Sequence, residues 1–227
     1  MPKNIIITFD DGFPSHYTHV IELLKKYNYR AIFALITKDI DVFWTDDKIQ
    51  TVLDTKSVIC SHTETHKDMI NEYDEMEVTV SFEKLKKKNI SLTGFIVPYY
   101  KYNKKVQELL SQYGIKYSMN YGARNYKNEK IYYTIDEFKK NALDLVRFNV
   151  PYSTKEKQGE SINQITNIIN TMEDNSIVTM NIHNVLKKLE VSPYDVRYYL
   201  DYDELESIFM LFKENNINVA LPEDFLA

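Results

Sequence analysis

Cysteine is almost absent from this chain of 227 residues: Cys60 is the only one, so no internal disulfide can form and redox compartment is left open. Glycine is scarce as well, 5 residues where a usual share of about 7% would give about three times as many, and Tyr, Asn, Ile and Lys are abundant. That imbalance is a compositional bias and not a specialised surface. No apolar run approaches the roughly 18 residues that suggest a membrane span. The N-terminus has neither the long apolar core nor the cleavage site of a signal peptide, so the chain as written is expected to be cytoplasmic. An excess of one charge is missing too: 28 basic residues face 33 acidic ones, the signs are mixed, and the net of -5 offers no electrostatic footprint for nucleic acid. The basic run "KLKKKN" at 84–89 is expected to be a solvated helix end. There is no repeat, low-complexity stretch or Pro/Gly-rich linker, which makes 1–227 a single expected domain, long enough for one good-sized core.

What is present is an alternation of short apolar runs with helical stripes. Candidate strands are 4–9, 31–36, 57–60, 92–97, 115–119, 143–148, 177–182 and 218–221, several of them continuously apolar, as parallel strands covered on both faces tend to be. Between them lie core-facing helix stripes: Val20, Leu23, Leu24, Tyr27; Val106, Leu109, Leu110, Tyr113; Ile162, Ile165, Ile169, Met172; Leu205, Ile208, Phe209, Phe212. Such alternation predicts an α/β fold, either a (β/α) barrel or an open doubly wound sheet. In both, ligands bind beyond the carboxyl ends of the strands.

Chemistry-bearing residues gather at those ends. Asp10 and Asp11 close the first strand in "ITFDDGF", His62 and His66 follow the third in "SHTETH", and Pro98 and Tyr99 follow the fourth. Arg147 and Asn149 end the sixth, and His183 ends the seventh, so three of the five histidines sit at this rim. The spacing of "HTETH" places two imidazoles on one face of a helical turn, where they can grip one ion. Glu64 stands one place too late for the zincin motif, so that mechanism is not indicated. A third ligand would be Asp11 or Asp10, because two histidines and a carboxylate leave open positions for water and substrate. The other carboxylate could then take a proton from water acidified by the ion. Capping of the next helix is the plainer alternative for the pair. His183 is either a satisfied core residue or a general acid for a leaving amine or alcohol. His16 and His19 are expected on the surface or the rim, and Trp44 is expected to pack.

With its residues in this order, the chain resembles the NodB-homology polysaccharide deacetylases, carbohydrate esterase family 4. The T-F-D-D-G motif is matched by Thr8, Phe9, Asp10, Asp11 and Gly12, and H-[ST]-x-x-H by His62, Thr63 and His66. Similarity continues through "GFIVPYYKYNKKVQELLSQYGIKYS" and "SIVTMNIHN", covering most of the chain. The resemblance implies a distorted (β/α)7 barrel that removes acetyl groups from an N- or O-acetylated sugar with one divalent metal ion, Zn2+ first and Co2+, Ni2+ or Mn2+ as alternatives. It makes Asp10 the general base, His183 the general acid, and Asp11, His62 and His66 the metal ligands, with the backbone N–H of Tyr99 supporting the oxyanion.

Two departures stand out. Where the third motif typically reads R-P-P-Y-G, this chain has Ile96, Val97, Pro98, Tyr99 and Tyr100, so the arginine that pairs with the base is missing. Arg147 could reach the same rim in its place, or form a structural ion pair. The fourth motif, Asp followed by Trp, is not recognisable, and Asn149 is the candidate to orient the catalytic histidine without a carboxylate's charge. The leading expectation is therefore a metal-dependent deacetylase of an acetylated saccharide. A metal-dependent C–N hydrolase of a small amide and a catalytically impaired binding homologue are the alternatives.

Overall fold

A computed structural model describes residues 2–100, 103–121, 131–153, 159–188 and 199–226. Seven parallel strands build the barrel: β1 (Asn4–Phe9), β2 (Ile32–Leu35), β3 (Val58–Ser61), β4 (Gly94–Ile96), β5 (Tyr117–Tyr121), β7 (Leu145–Asn149) and β8 (Ser176–Ile182). It closes because β8 pairs back onto β1 along the whole strand, from Asn4 opposite Ile177 to Phe9 opposite Ile182. Helices α1 (Ile21–Tyr27), α2 (Asp46–Asp54), α3 (Glu75–Lys87), α4 (Lys104–Gln112), α6 (Glu160–Thr171) and α7 (Tyr202–Glu214) alternate with these strands. A short helix, α5 (Ile135–Lys140), opens with a capping box between Thr134 and Glu137.

The barrel is distorted at two seams. The second edge of β1 is shared, β11 (Asn218–Val219) pairing with its start and β2 with its end. The second edge of β8 is shared likewise, between antiparallel β6 (Tyr132–Thr134) at its start and β7 at its end. Beyond the rim, β9 (Asn184–Leu186) pairs in parallel with β10 (Tyr199–Asp201). The expected strands and the four helix stripes all appear. The short β6, β9 and β10, and helix α5, were not foreseen, since three to six residues carry too little periodicity to register.

Strand alternation divides the core. On β1, Ile5, Ile7 and Phe9 face outward into a cluster with Leu23, Leu24, Leu205 and Phe209 of the helices. Ile6 faces inward with Ile32, Ala34, Cys60, Ile96, Tyr117, Met119, Leu145 and Ile177, which fill the lower barrel. Gly94 is what lets the Tyr117 ring lie there, because a Cβ on residue 94 would fall 2.2 Å from it. No helix among the described residues is long and apolar enough to cross a membrane.

Gly94→Ala is expected to overpack this layer and destabilise the chain by about 1–3 kcal/mol. Tyr117→Leu should recover part of that loss when the two are combined. Urea unfolding of the single and double variants checks both.

Candidate active site

The inward face of β1 continues upward from Ile6 to Thr8 and then Asp10, whose N–H still donates to Ile182 O in the ladder at 2.9 Å. Asp10 therefore enters the barrel mouth by simple alternation. Arg147, inside β7, meets it there: Arg147 Nη1 donates to Asp10 Oδ2 at 2.6 Å and to Oδ1 at 2.8 Å. The same nitrogen reaches Thr8 Oγ1 at 2.7 Å, and that hydroxyl donates to Asp10 Oδ1 at 2.9 Å. Both charged side chains are buried. Burial alone would raise the Asp10 carboxyl, but the Arg147 guanidinium holds it below its ordinary value.

Asp11 reaches the same rim by a different route. The chain turns left-handed at Asp11 (φ 73°) and Gly12 (φ 70°), so two neighbours that a strand would point apart converge. Gly12 is required twice, by its dihedral and by space: a Cβ there would lie 2.9 Å from Trp44 Nε1. That indole N–H donates to Gly12 O at 2.9 Å, so the buried Trp44 packs and also pins the turn.

The segment carrying His62 and His66 is not helical, which corrects the expectation from its spacing. Thr63 and His66 both have φ 67°, and the two imidazoles meet across an irregular loop with ring centroids 4.9 Å apart. Helix α3 holds that loop: buried Glu77 accepts from Thr65 N at 2.7 Å and Thr65 Oγ1 at 2.6 Å, and its carbonyl accepts from Glu64 N at 2.9 Å. Ser81 meets Ser61 Oγ at 2.6 Å, and that hydroxyl accepts from Thr63 N. Sequence reasoning missed Glu77 and Ser81. Their signal was available, as polar residues on the helix face that buries Val78, Phe82 and Leu85.

His62 Nδ1–H donates to Ile96 O at 2.7 Å, which leaves the Nε2 lone pair turned towards Asp11. Asp11 Oδ1 lies 3.2 Å from His62 Nε2 and 3.1 Å from His66 Nε2. It is nevertheless buried without a hydrogen-bond partner among the described residues. An oxygen and an imidazole lone pair facing each other at that distance fit a cation between them, and two histidines with a carboxylate are a donor set for a divalent ion. The charges agree. Burial would lower the His62 imidazole, yet Asp11 and Asp10 raise it; burial would raise the Asp11 carboxyl, yet His62 and His66 hold it far below its ordinary value.

His183, just beyond β8, completes the rim, and its carbonyl accepts from His16 Nε2 at 2.8 Å. Burial lowers the His183 imidazole more than Asp10 and Asp11 raise it. His16 is fully buried beside Phe9, Phe13 and Phe33, and His19 is buried against the Tyr202 ring, so neither is a surface residue, and His16 meets the rim only from beneath, at the His183 carbonyl. The apolar helix stripe that packs α1 on the barrel carries both inside. Tyr99 has left-handed dihedrals in the turn after β4, and its half-exposed ring lies 4.7 Å from that of His66.

The sequence profile of the polysaccharide deacetylases matches residues 1–118, just over half of the chain. The chain belongs to the polysaccharide deacetylase family. Among solved structures it is similar to a family 4 carbohydrate esterase from Streptomyces lividans in complex with acetate, with a TM-score of 0.62 and 12% identity over 99% of this chain and 96% of that one. It is similar to a metagenomic family 4 domain of a multidomain xylanase from the hindgut of Trinervitermes trinervoides (TM-score 0.56, 18% identity, 97% and 95% covered). A family 4 pseudoenzyme from Bacillus anthracis also matches, with a TM-score of 0.59 and 13% identity over all of this chain and 66% of that one. No curated protein sequence matches.

Within the deacetylase pattern two side chains have changed place. Ile96, at the motif-three arginine position, is buried in the apolar barrel interior, and the guanidinium arrives from β7 instead. Asn149 stands opposite Asn181, and its buried Oδ1 has no hydrogen-bond partner among the described residues, so it does not orient His183 as expected. Tyr152 meets the ring instead, its hydroxyl 3.4 Å from His183 Nδ1.

Arg147→Met leaves Asp10 as a buried unpaired carboxylate and should cost about 3–5 kcal/mol. Adding Asp10→Asn should return much of it, a non-additivity measurable by urea unfolding in chelator. His16 gives a pH dependence. Burial lowers its imidazole to about 4 against 6.5 when unfolded. Its stabilising effect is thus complete above 6.5 and is lost as pH falls towards 4. The chain should lose about 3 kcal/mol more than His16→Gln over that interval.

Proposed function

We propose that residues 1–227 form one catalytic domain, a metal-dependent hydrolase that removes acetyl groups from an N-acetylated saccharide or glycoconjugate. Membership of the deacetylase family supports the reaction class. The observation that carries the reading is the Asp10 carboxylate, ionised by Arg147 and set directly beside Asp11, His62 and His66.

A divalent ion held by Asp11, His62 and His66, most simply Zn2+ though Co2+, Ni2+ or Mn2+ suit the same donors, would polarise the acetyl carbonyl and acidify water. Asp10 acts as general base. Of the roughly four acceptor positions on a carboxylate, Arg147 and Thr8 occupy both on Oδ1, and Arg147 takes one on Oδ2. The remaining Oδ2 position receives the proton from the attacking water. Arg147 keeps Asp10 ionised at neutral pH and fixes the direction of that lone pair. The backbone N–H of Tyr99, set by the left-handed turn, donates to the developing oxyanion. His183 delivers a proton to the departing amine. Because burial lowers its imidazole, the protonated form is reached at lower pH than for an ordinary histidine, and the rate should fall on the alkaline side from a midpoint below about 6.5.

A saccharide-binding homologue without catalysis is the second reading, motivated by Tyr152 standing at His183 Nδ1, where no carboxylate stands among the described residues. Acetate release from chitooligosaccharides by Zn2+-loaded protein separates the two. Turnover should stop on chelation and return with the ion, and Asp10→Asn should lower kcat by about 10²–10⁴-fold. His66→Ala should lose retained zinc in metal analysis. Loaded protein that binds the oligosaccharide but releases no acetate would establish the second reading.

A further inference from the structure

His183 is held on its backbone before anything touches its ring. Its carbonyl accepts from His16 Nε2, Ser15 Oγ donates to Asn184 Oδ1 at 2.6 Å, and Val185 N donates to Ser15 Oγ at 3.2 Å. Residues 183–185 are thus fastened to the segment that follows the Asp10–Gly12 turn, and the remaining freedom of His183 is rotation of its imidazole. Nδ1 has Tyr152 Oη beside it at 3.4 Å, with ring centroids 5.9 Å apart.

Tyr152 is itself built in. Before it, Val150 N donates to Asn181 O at 3.1 Å; after it, Ser153 N donates to Tyr199 O at 2.8 Å. Ser153 Oγ accepts from Asp201 N at 2.8 Å and donates to Glu204 Oε2 at 2.6 Å. Glu204 is a buried carboxylate that also accepts from Ser161 Oγ and Gly159 N, tying this segment to the starts of α6 and α7. A buried carboxylate satisfied by several donors makes a stiff anchor, because moving any donor costs it a hydrogen bond that water cannot replace.

We propose that Tyr152 is the positioning residue of the general acid: its phenol oxygen accepts Nδ1–H of His183 and so leaves Nε2 as the nitrogen that delivers the proton. The proposal rests on the assignment of His183 as the acid. A neutral phenol orients the ring without the field of a carboxylate. Among the described residues, the carboxylates that favour the imidazolium are then Asp10 and Asp11, already at the rim. Orientation and charge, which one carboxylate would combine, are divided here between Tyr152 and the aspartates.

The test uses the whole 227-residue chain loaded with Zn2+ and two substrates. An amine leaving from a chitooligosaccharide needs a proton, whereas 4-nitrophenolate leaving from 4-nitrophenyl acetate does not. Tyr152→Phe should lower kcat on the oligosaccharide by about tenfold or more at unchanged KM, while its rate on 4-nitrophenyl acetate stays within about twofold. His183→Ala should show the same asymmetry more strongly, and Tyr152→Gln, which keeps an oxygen acceptor, should recover part of the loss. A role in packing alone would lower both rates together and overturn the proposal. Imidazole 15N NMR of the same proteins reads the contact without turnover: His183 should be held as the Nδ1–H tautomer and become a mixture in Tyr152→Phe. An unchanged tautomer would overturn the proposal even if the deacetylase reading stands. Absence of acetate release by the parent chain would sink that reading while the NMR arm still decides the contact.

Discussion

The buried pair between Arg147 and Asp10 is the constraint around which the barrel mouth is organised. Neither charge can be taken from water alone without a cost of several kcal/mol, and their mutual attraction compensates only when geometry and further hydrogen bonds are good. Here Thr8 bridges both partners, and Arg147 reaches both carboxylate oxygens. The pair stands on an apolar floor of Ile6, Ile96 and Leu145. That floor excludes water from below, so the low local dielectric both strengthens the attraction and makes the loss of one partner severe.

A charge fixed so firmly lets the rest of the rim be arranged against it. The left-handed turn at Asp11 and Gly12 brings a second carboxylate beside the first, and the indole of Trp44 and the lack of a Cβ at residue 12 hold that turn closed. Across from it, α3 supplies Glu77 and Ser81 to a loop that would otherwise have no regular hydrogen bonding. The geometry of Asp11, His62 and His66 is therefore set by neighbours on other elements.

Charge is placed differently here from what the motifs that the sequence resembles would imply. The guanidinium beside Asp10 comes from β7 and not from the fourth barrel strand, and a phenol stands at His183 Nδ1. The first change preserves an ionised Asp10 because the β7 side chain ends at the same atoms. The second leaves no carboxylate at His183 Nδ1 among the described residues, and burial holds the imidazole lower than an ordinary one. Asp10 and His183 are thus set by different means: one by a buried counter-ion, the other by burial working against the two aspartates.

The sequence by itself determined what local pattern can carry. Strand runs, the helix stripes of α1, α4, α6 and α7, the rim position of Asp10, Asp11, His62, His66 and His183, and the family were all legible, because alternation and motif spacing are properties of adjacent residues. Tertiary structure decided the rest. Whether Arg147 met Asp10 or formed some other ion pair depended on closure of β7, β8 and β1 across 137 positions of chain. The loop of His62 and His66 has helical spacing but left-handed dihedrals at Thr63 and His66, imposed by contacts with α3. His16 and His19 are polar by composition and buried by packing, and Tyr152 displaces Asn149 at the histidine because the anchored segment after β7 carries it there. Periodicity says which face a side chain takes; only the closed barrel says what stands opposite it.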